Sequence, residues 1–93
     1  MHIASLRVEL EITDGLTLKD KRQVIRSLLD RIRGRFNVGA AEVGRNDSVR
    51  YAELAAVGVA NDRPFLDRMM AKVLDLIESE PRVALLAQDL EFL

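Results

Sequence analysis

Hydrophobic positions along this chain switch between two periods, and the switches divide it into six elements. From His2 to Ile12, the residues Ala4, Leu6, Val8, Leu10 and Ile12 alternate with Ser5, Arg7, Glu9 and Glu11. Period two over that length predicts a strand with one buried face and one face open to water. Asp14-Gly15 then supplies turn chemistry. Across Leu16 to Asn37 (LTLKDKRQVIRSLLDRIRGRFN) the period becomes helical. Thr17 is the expected N-cap, with Asp20 three residues on as a short capping box. At about 100° per residue, Leu18, Val24, Ile25, Leu28, Leu29, Ile32 and Phe36 form one apolar arc. Gly34 sits where a C-terminal cap is expected, and Arg31, Arg33 and Arg35 suit the negative end of the helix dipole.

The second half repeats the scheme. Phe36 to Gly44 reads as a strand with Phe36, Val38 and Ala40 inward; Val43 falls out of phase, which predicts a bulge near Ala41 or Glu42. Arg45 to Val49 is a polar hairpin loop, and Arg50 to Ala60 a third strand rich in alanine and glycine, apolar on both faces and so without a readable register. Asp62 caps a second helix, with Pro64 in its first turn. Leu66, Met69, Met70, Val73, Leu74 and Ile77 are its buried stripe, Phe65 and Leu76 lie at the stripe's edge, and Pro81 ends it near Glu80. Arg82 to Leu93 is a last strand.

The order β-α-β-β-α-β with right-handed crossovers predicts an α+β, ferredoxin-like fold: a four-stranded antiparallel sheet of order 4-1-3-2 with both helices on one face. Ninety-three residues and no composition break make this a single domain over 1–93.

Composition narrows the chemistry. There is no cysteine, so disulfides, thiolate metal sites and a cysteine nucleophile are excluded. His2 is the only histidine, with no second imidazole to join it on a metal and no serine placed beside it for a nucleophilic triad. The five glycines form no phosphate-loop pattern. Arg7, Glu9 and Glu11 interrupt the N-terminal apolar stretch, which is therefore not read as a signal peptide, and no apolar run approaches the ~20 residues of a membrane span. A cytoplasmic address follows, with no cofactor, metal or membrane expected.

Two activities that share the fold fail on their residues. An acylphosphatase needs an arginine in the loop after the first strand, where this chain has Thr13-Asp14-Gly15-Leu16-Thr17. An RNA-recognition motif stacks bases on aromatic residues of the central strands; the first strand here has none, and the third has only Tyr51 at its start.

Charge is locally uneven although the net is −1. Seven of the 14 basic residues lie on the first helix, opposed only by Asp20 and Asp30. Lys19, Arg22, Arg26 and Arg33 project within about 60° of one another as a ridge beside the apolar arc. Three readings stand for that ridge: a solvated face, a track for a phosphate backbone, or a dock for an acidic protein. Lys21 projects into the middle of the arc, either snorkelling along the core edge or paired with a carboxylate. A second candidate surface is the open sheet face, where Ala55, Val57, Val59, Ala41, Val43 and Leu85 would form an apolar patch and the last strand a free edge, together suited to homodimerisation.

The stretch LTLKDKRQVIRSLLDRIRGRFNVGAAEV, followed by the third strand and VANDR, resembles the YlxP-like family of small bacterial domains of unknown function. The matching pieces are Leu18-Lys19, Lys21-Arg22, Ser27-Leu28-Leu29, Arg35-Phe36-Asn37-Val38, Ala41-Glu42-Val43 and Asn61-Asp62. The resemblance spans nearly the whole chain and implies a ferredoxin-like fold. Genes of that family often lie beside those for translation initiation and ribosome maturation factors, which implies a ribosome- or RNA-associated role; it implies no catalytic residues. This chain departs from the family's aromatic hairpin segment, carrying Asp47-Ser48-Val49-Arg50-Tyr51 there.

The expectation is therefore a non-enzymatic cytoplasmic binding protein, its partners rRNA or ribosomal proteins, held through Lys19, Arg22, Arg26 and Arg33. The alternative is a homodimeric interaction or small-ligand regulatory module working through the open sheet.

Overall fold

The computed structural model describes residues 1–15 and 17–93, so Leu16, the first residue of the basic stretch, lies outside the described residues. Its elements are β1 (His2–Ile12), α1 (Leu18–Arg35), β2 (Val38–Gly44), β3 (Tyr51–Ala60), α2 (Arg63–Glu78) and β4 (Val83–Phe92). The sheet order is β2-β3-β1-β4 with every pair antiparallel, the ferredoxin-like arrangement expected from the order of elements.

The alternation of β1 places Ala4, Leu6, Val8, Leu10 and Ile12 in the core between its two neighbouring strands. Pairing with β1 settles the register that β3 alone did not reveal. Ala52, Leu54 and Ala56 face the helices, and Ala55, Val57 and Val59 face the open side. Gly58 shares the inward face beneath α2. A Cβ there would stand 2.8 Å from Met69 Cε and 3.1 Å from both Leu66 Cδ1 and Met70 Cε, so glycine is what lets α2 lie close on β3.

Bulges adjust both edge strands. In β2 the register shifts between Glu42 and Gly44, which makes Val43 the extra residue, next to the expected place. In β4, Glu9 pairs with Ala87 and Leu10 with Leu85, leaving Leu86 over. Leu85 is thus turned to the helix side and packs against the core, not onto the open face as expected; the residue exposed is Leu86. A bulge reverses which residues face inward, and the composition of β4 carries no sign of it.

Thr17 caps α1 in a full capping box: its Oγ accepts from the Asp20 N–H, and the Asp20 carboxylate accepts from the Thr17 N–H, each at 3.1 Å. The helix does not stop at Gly34. It runs through Arg35 and ends on Phe36, whose backbone is extended (φ −127°) and whose N–H still bonds the Ile32 carbonyl. Phe36 packs against the core and leads straight into β2, so the turn needs no left-handed residue. On α2, Asp62 accepts from the Phe65 N–H at 3.1 Å, and Leu76 joins the buried stripe while Leu74 is only partly covered.

Two buried ionised residues fasten the helical layer to its surroundings. Lys21 is 1 % exposed. Its Nζ lies 2.9 Å from Glu42 Oε2 on β2 and donates to the Arg45 carbonyl at 2.6 Å. Arg45 has a positive φ of 61°, and its carbonyl also accepts from the Ser48 N–H, so Lys21 holds the start of the β2–β3 turn. Of the two readings open for Lys21, the carboxylate-paired one is what the fold contains.

Glu80 is the other, 4 % exposed in the α2–β4 connection. It accepts from both Arg82 Nε and Nη2, from the Arg82 backbone N–H, and from Arg31 on α1. The hydrogen bonds from the Arg82 guanidinium hold its carboxyl down to about 2 against the upward push of burial; the Arg82 N–H and Arg31 add to the lowering. Among the described residues no helix is long and apolar enough to cross a membrane.

Candidate nucleic-acid interface

The sequence places seven cations and two carboxylates on α1, and three of each on α2. The outward face of the sheet carries Glu9, Glu11, Glu53, Asp89 and Glu91 around the single strand arginine Arg7, with Arg45 and Arg50 packed over the Tyr51 ring at its rim. A net charge of −1 therefore conceals a molecule that is basic on the helical side and acidic on the open sheet.

Pairing sharpens this division. Arg7, Lys21, Arg31, Arg33, Arg50 and Arg82 each have a carboxylate within ion-pair distance. Arg45 and Arg63 lie over aromatic rings, Arg63 at 4.1 Å from the Phe92 centroid. Among the described residues that leaves Lys19, Arg22, Arg26, Arg35, Arg68 and Lys72 with neither kind of partner, and all six are exposed on the two helices.

Three of the six belong to the expected ridge. Arg22 and Arg26 flank a groove of about 260 Å³ between α1 and the β2 edge, lined also by Ile25, Leu29, Arg33 and Glu42, and Lys19 stands one turn nearer the helix start. The helical repeat aligns them on one side because α1 is uninterrupted from Leu18 to Arg35.

Arg33 is held differently. Its Nε and Nη2 donate to the Ala40 carbonyl at 3.1 and 2.6 Å, and its Nη1 lies 3.6 Å from Asp30. Ala40 is on an edge strand, so Arg33 covers one of the carbonyls that such an edge leaves unpaired. Its side chain remains 48 % exposed, at the groove's end.

The other three surround a cleft that the sequence did not single out. Where the C-terminal end of α1 meets the first turns of α2, Arg35, Phe36, Asn37, Phe65, Arg68, Met69 and Lys72 line a space of about 510 Å³. Among the described residues no carboxylate lines it. The available signal was the spacing of Phe65, Arg68 and Lys72 along one side of α2; what was missing was their approach to Arg35, which only the packing of the helices brings about.

Among the described residues, the groove after β1 is lined by Asp14 and Asp20 beside Arg82, whose guanidinium is already bound to Glu80, and the Asp20 carboxylate takes the Thr17 N–H at the start of α1.

Comparison with known proteins agrees with the fold and adds a family. Residues 3–90 match the family described as "Protein of unknown function (DUF503)". The chain is 31% identical over 75 residues to a Bacillus subtilis (strain 168) protein described as "Uncharacterized protein YlxP", covering 81% of this chain and 82% of that one. Among solved structures it is similar to a structural-genomics protein, YJCS, with a TM-score of 0.56 and 12% identity over 96% of both chains. It is also similar to a de novo designed protein, Foldit4, at a TM-score of 0.55, 11% identity and coverage of 98% and 96%. SnoaB, a cofactor-independent oxygenase from Streptomyces nogalater, superposes at a TM-score of 0.54 with 10% identity, covering 99% of this chain and 90% of that one. At such identities these structures speak for the fold alone.

Proposed function

This chain belongs to DUF503, a family of proteins of unknown function, so its role has to be inferred from its own surface, and we propose that it is a cytoplasmic RNA-binding protein acting at or near the ribosome. The observation that carries this reading is the set of exposed, unpaired cations on the helical layer, opposite an acidic sheet face. Lys19, Arg22 and Arg26 lie along a helix side where successive phosphates can be met, with Arg33 fixed at the end of the same groove. The acidic open sheet repels the backbone that an RNA-recognition motif would stack there, so approach is from the helices.

Three phosphate contacts release about three counterions, so affinity for a short blunt-ended rRNA duplex should fall roughly 20- to 40-fold between about 50 and about 200 mM salt. Fluorescence anisotropy across that range measures it. The double substitution R22E/R26E should abolish the binding; salt-insensitive binding, or binding that survives the charge reversal, sinks the proposal.

A second reading rests on the open sheet, where Val57 on β3 is 46% exposed and Val59 51%, in a sheet whose β4 edge, beyond β1, is unpaired among the described residues. A second copy would cover that apolar part. Sedimentation at micromolar concentration should then show a dimer, and a monomer there removes this reading.

A further inference from the structure

We infer that the cleft between the end of α1 and the start of α2 is a binding site for single-stranded RNA, with Phe65 as a stacking platform for an unpaired base and Arg35, Arg68 and Lys72 as its phosphate contacts. Nothing about the fold requires Phe65 to be where it is. It is 51% exposed, while the buried stripe of α2 is completed by Leu66, Met69, Met70, Val73, Leu76 and Ile77. An exposed phenyl ring costs solvation free energy unless something covers it, and this one stands at the rim of a cleft walled by three unpaired cations and no acid.

The geometry suits one class of occupant. Phe65, Arg68 and Lys72 are spaced along one side of α2, so the ring and the two charges rise from a single rigid element. Arg35 faces them from the last turn of α1, and Asn37 adds an amide able both to donate to and accept from a base edge. A ring beside a row of cations is how single strands are held without strict sequence preference: phosphates follow the charge and a base lies on the ring. A duplex keeps its bases stacked inside and has none to offer Phe65. An acidic peptide would satisfy the cations and leave the ring uncovered.

The site is separate from the Lys19–Arg22–Arg26 ridge, which flanks the β2 edge and shares no residue with it. The two can therefore fail independently.

The probe is a fluorescein-labelled oligouridylate or oligoadenylate strand, titrated with the full chain at low salt. Replacing Phe65 by leucine keeps an apolar side chain and removes the ring, and should weaken binding roughly 5- to 140-fold, the range expected for one lost base stack. F65W should retain or strengthen it. R68E/K72E should abolish it, whereas R22E/R26E should leave it largely intact while abolishing duplex binding. Thermal unfolding of each variant confirms that the fold is kept. Failure of the wild-type chain to bind the single strand overturns the inference, as does unchanged binding by F65L. So does an oligoglutamate peptide that binds as tightly as the oligonucleotide.

Discussion

Replacing Lys21 with methionine is expected to destabilise the fold by about 3 kcal/mol, a large share of the roughly 5–14 kcal/mol available to a domain of this size. The hydrocarbon stem is nearly conserved, so the loss comes from the charge. Glu42, whose side chain is only 18% exposed, would keep a carboxylate with no counterion, and the Arg45 carbonyl would lose the ammonium donor that now reaches it at 2.6 Å. The Lys21–Glu42 contact is a close ion pair without the alignment of a hydrogen bond on Glu42 Oε2, so its contribution is mainly Coulombic. Removing both charges, as K21M/E42Q, should therefore recover much of the loss, because a buried pair roughly offsets its own desolvation whereas a buried single charge does not. Chemical denaturation of the two single variants and the double gives the coupling. Additive effects across the cycle, or a K21M cost below about 1 kcal/mol, would show that Lys21 is not a structural partner of Glu42. Hydrogen exchange at the Ser48 amide, which bonds the same Arg45 carbonyl, should quicken in K21M if the lysine also secures the turn.

The second large effect is an acid-dependent one at Glu80. Its carboxyl titrates near 2 in the folded protein and near 4.5 when free, so the unfolded chain binds its proton first as pH falls. The stability it contributes is complete above about 4.5 and is lost as pH drops through about 2. Replacing it with glutamine should cost about 2 kcal/mol at neutral pH, because three N–H donors from Arg82 and one from Arg31 lose a charged acceptor. That corresponds to a fall of roughly 10 °C in Tm. The same variant should lack this part of the acid sensitivity, its Tm declining less steeply than that of the parent between those pH values. Parallel Tm–pH curves for the two proteins would contradict the assignment. Because Arg31 is on α1 and Arg82 begins the approach to β4, this one carboxylate ties the first helix to the last crossover.

These two residues are also where reading the chain and reading the fold part company. Lys21 stood out in the sequence as a charge inside an apolar arc, and its position alone favoured snorkelling along the core edge over the pairing that the fold contains. What decides between them is Glu42, about twenty residues away on a strand whose facing depends on a bulge at Val43. Glu80 gave no signal at all. Its partners lie on a helix some fifty residues earlier and just beyond a proline, and no local period connects them.

For the candidate surface the division is similar. The ridge of Lys19, Arg22 and Arg26 follows from 3.6 residues per turn and an uninterrupted helix, so spacing was enough to place it. That Arg33 is committed to the Ala40 carbonyl depends on where the β2 edge runs beside α1, which no helical wheel contains. The cleft around Phe65 needs both helix ends in place before Arg35 joins Arg68 and Lys72.

By itself the sequence determined the six elements, both N-caps, the sheet order and the separation of a basic first helix from a mixed-charge first strand. Those are consequences of local periodicity, capping chemistry and the handedness of crossovers, all of which act within an element or between successive ones. Only the tertiary structure decided the register of β3 and β4, the partners of Lys21 and Glu80, which six cations remain unpaired, and the cleft that three of them share. Each of those depends on side chains distant in the chain meeting at an ångström scale, and a one-residue bulge is enough to change which of them meet.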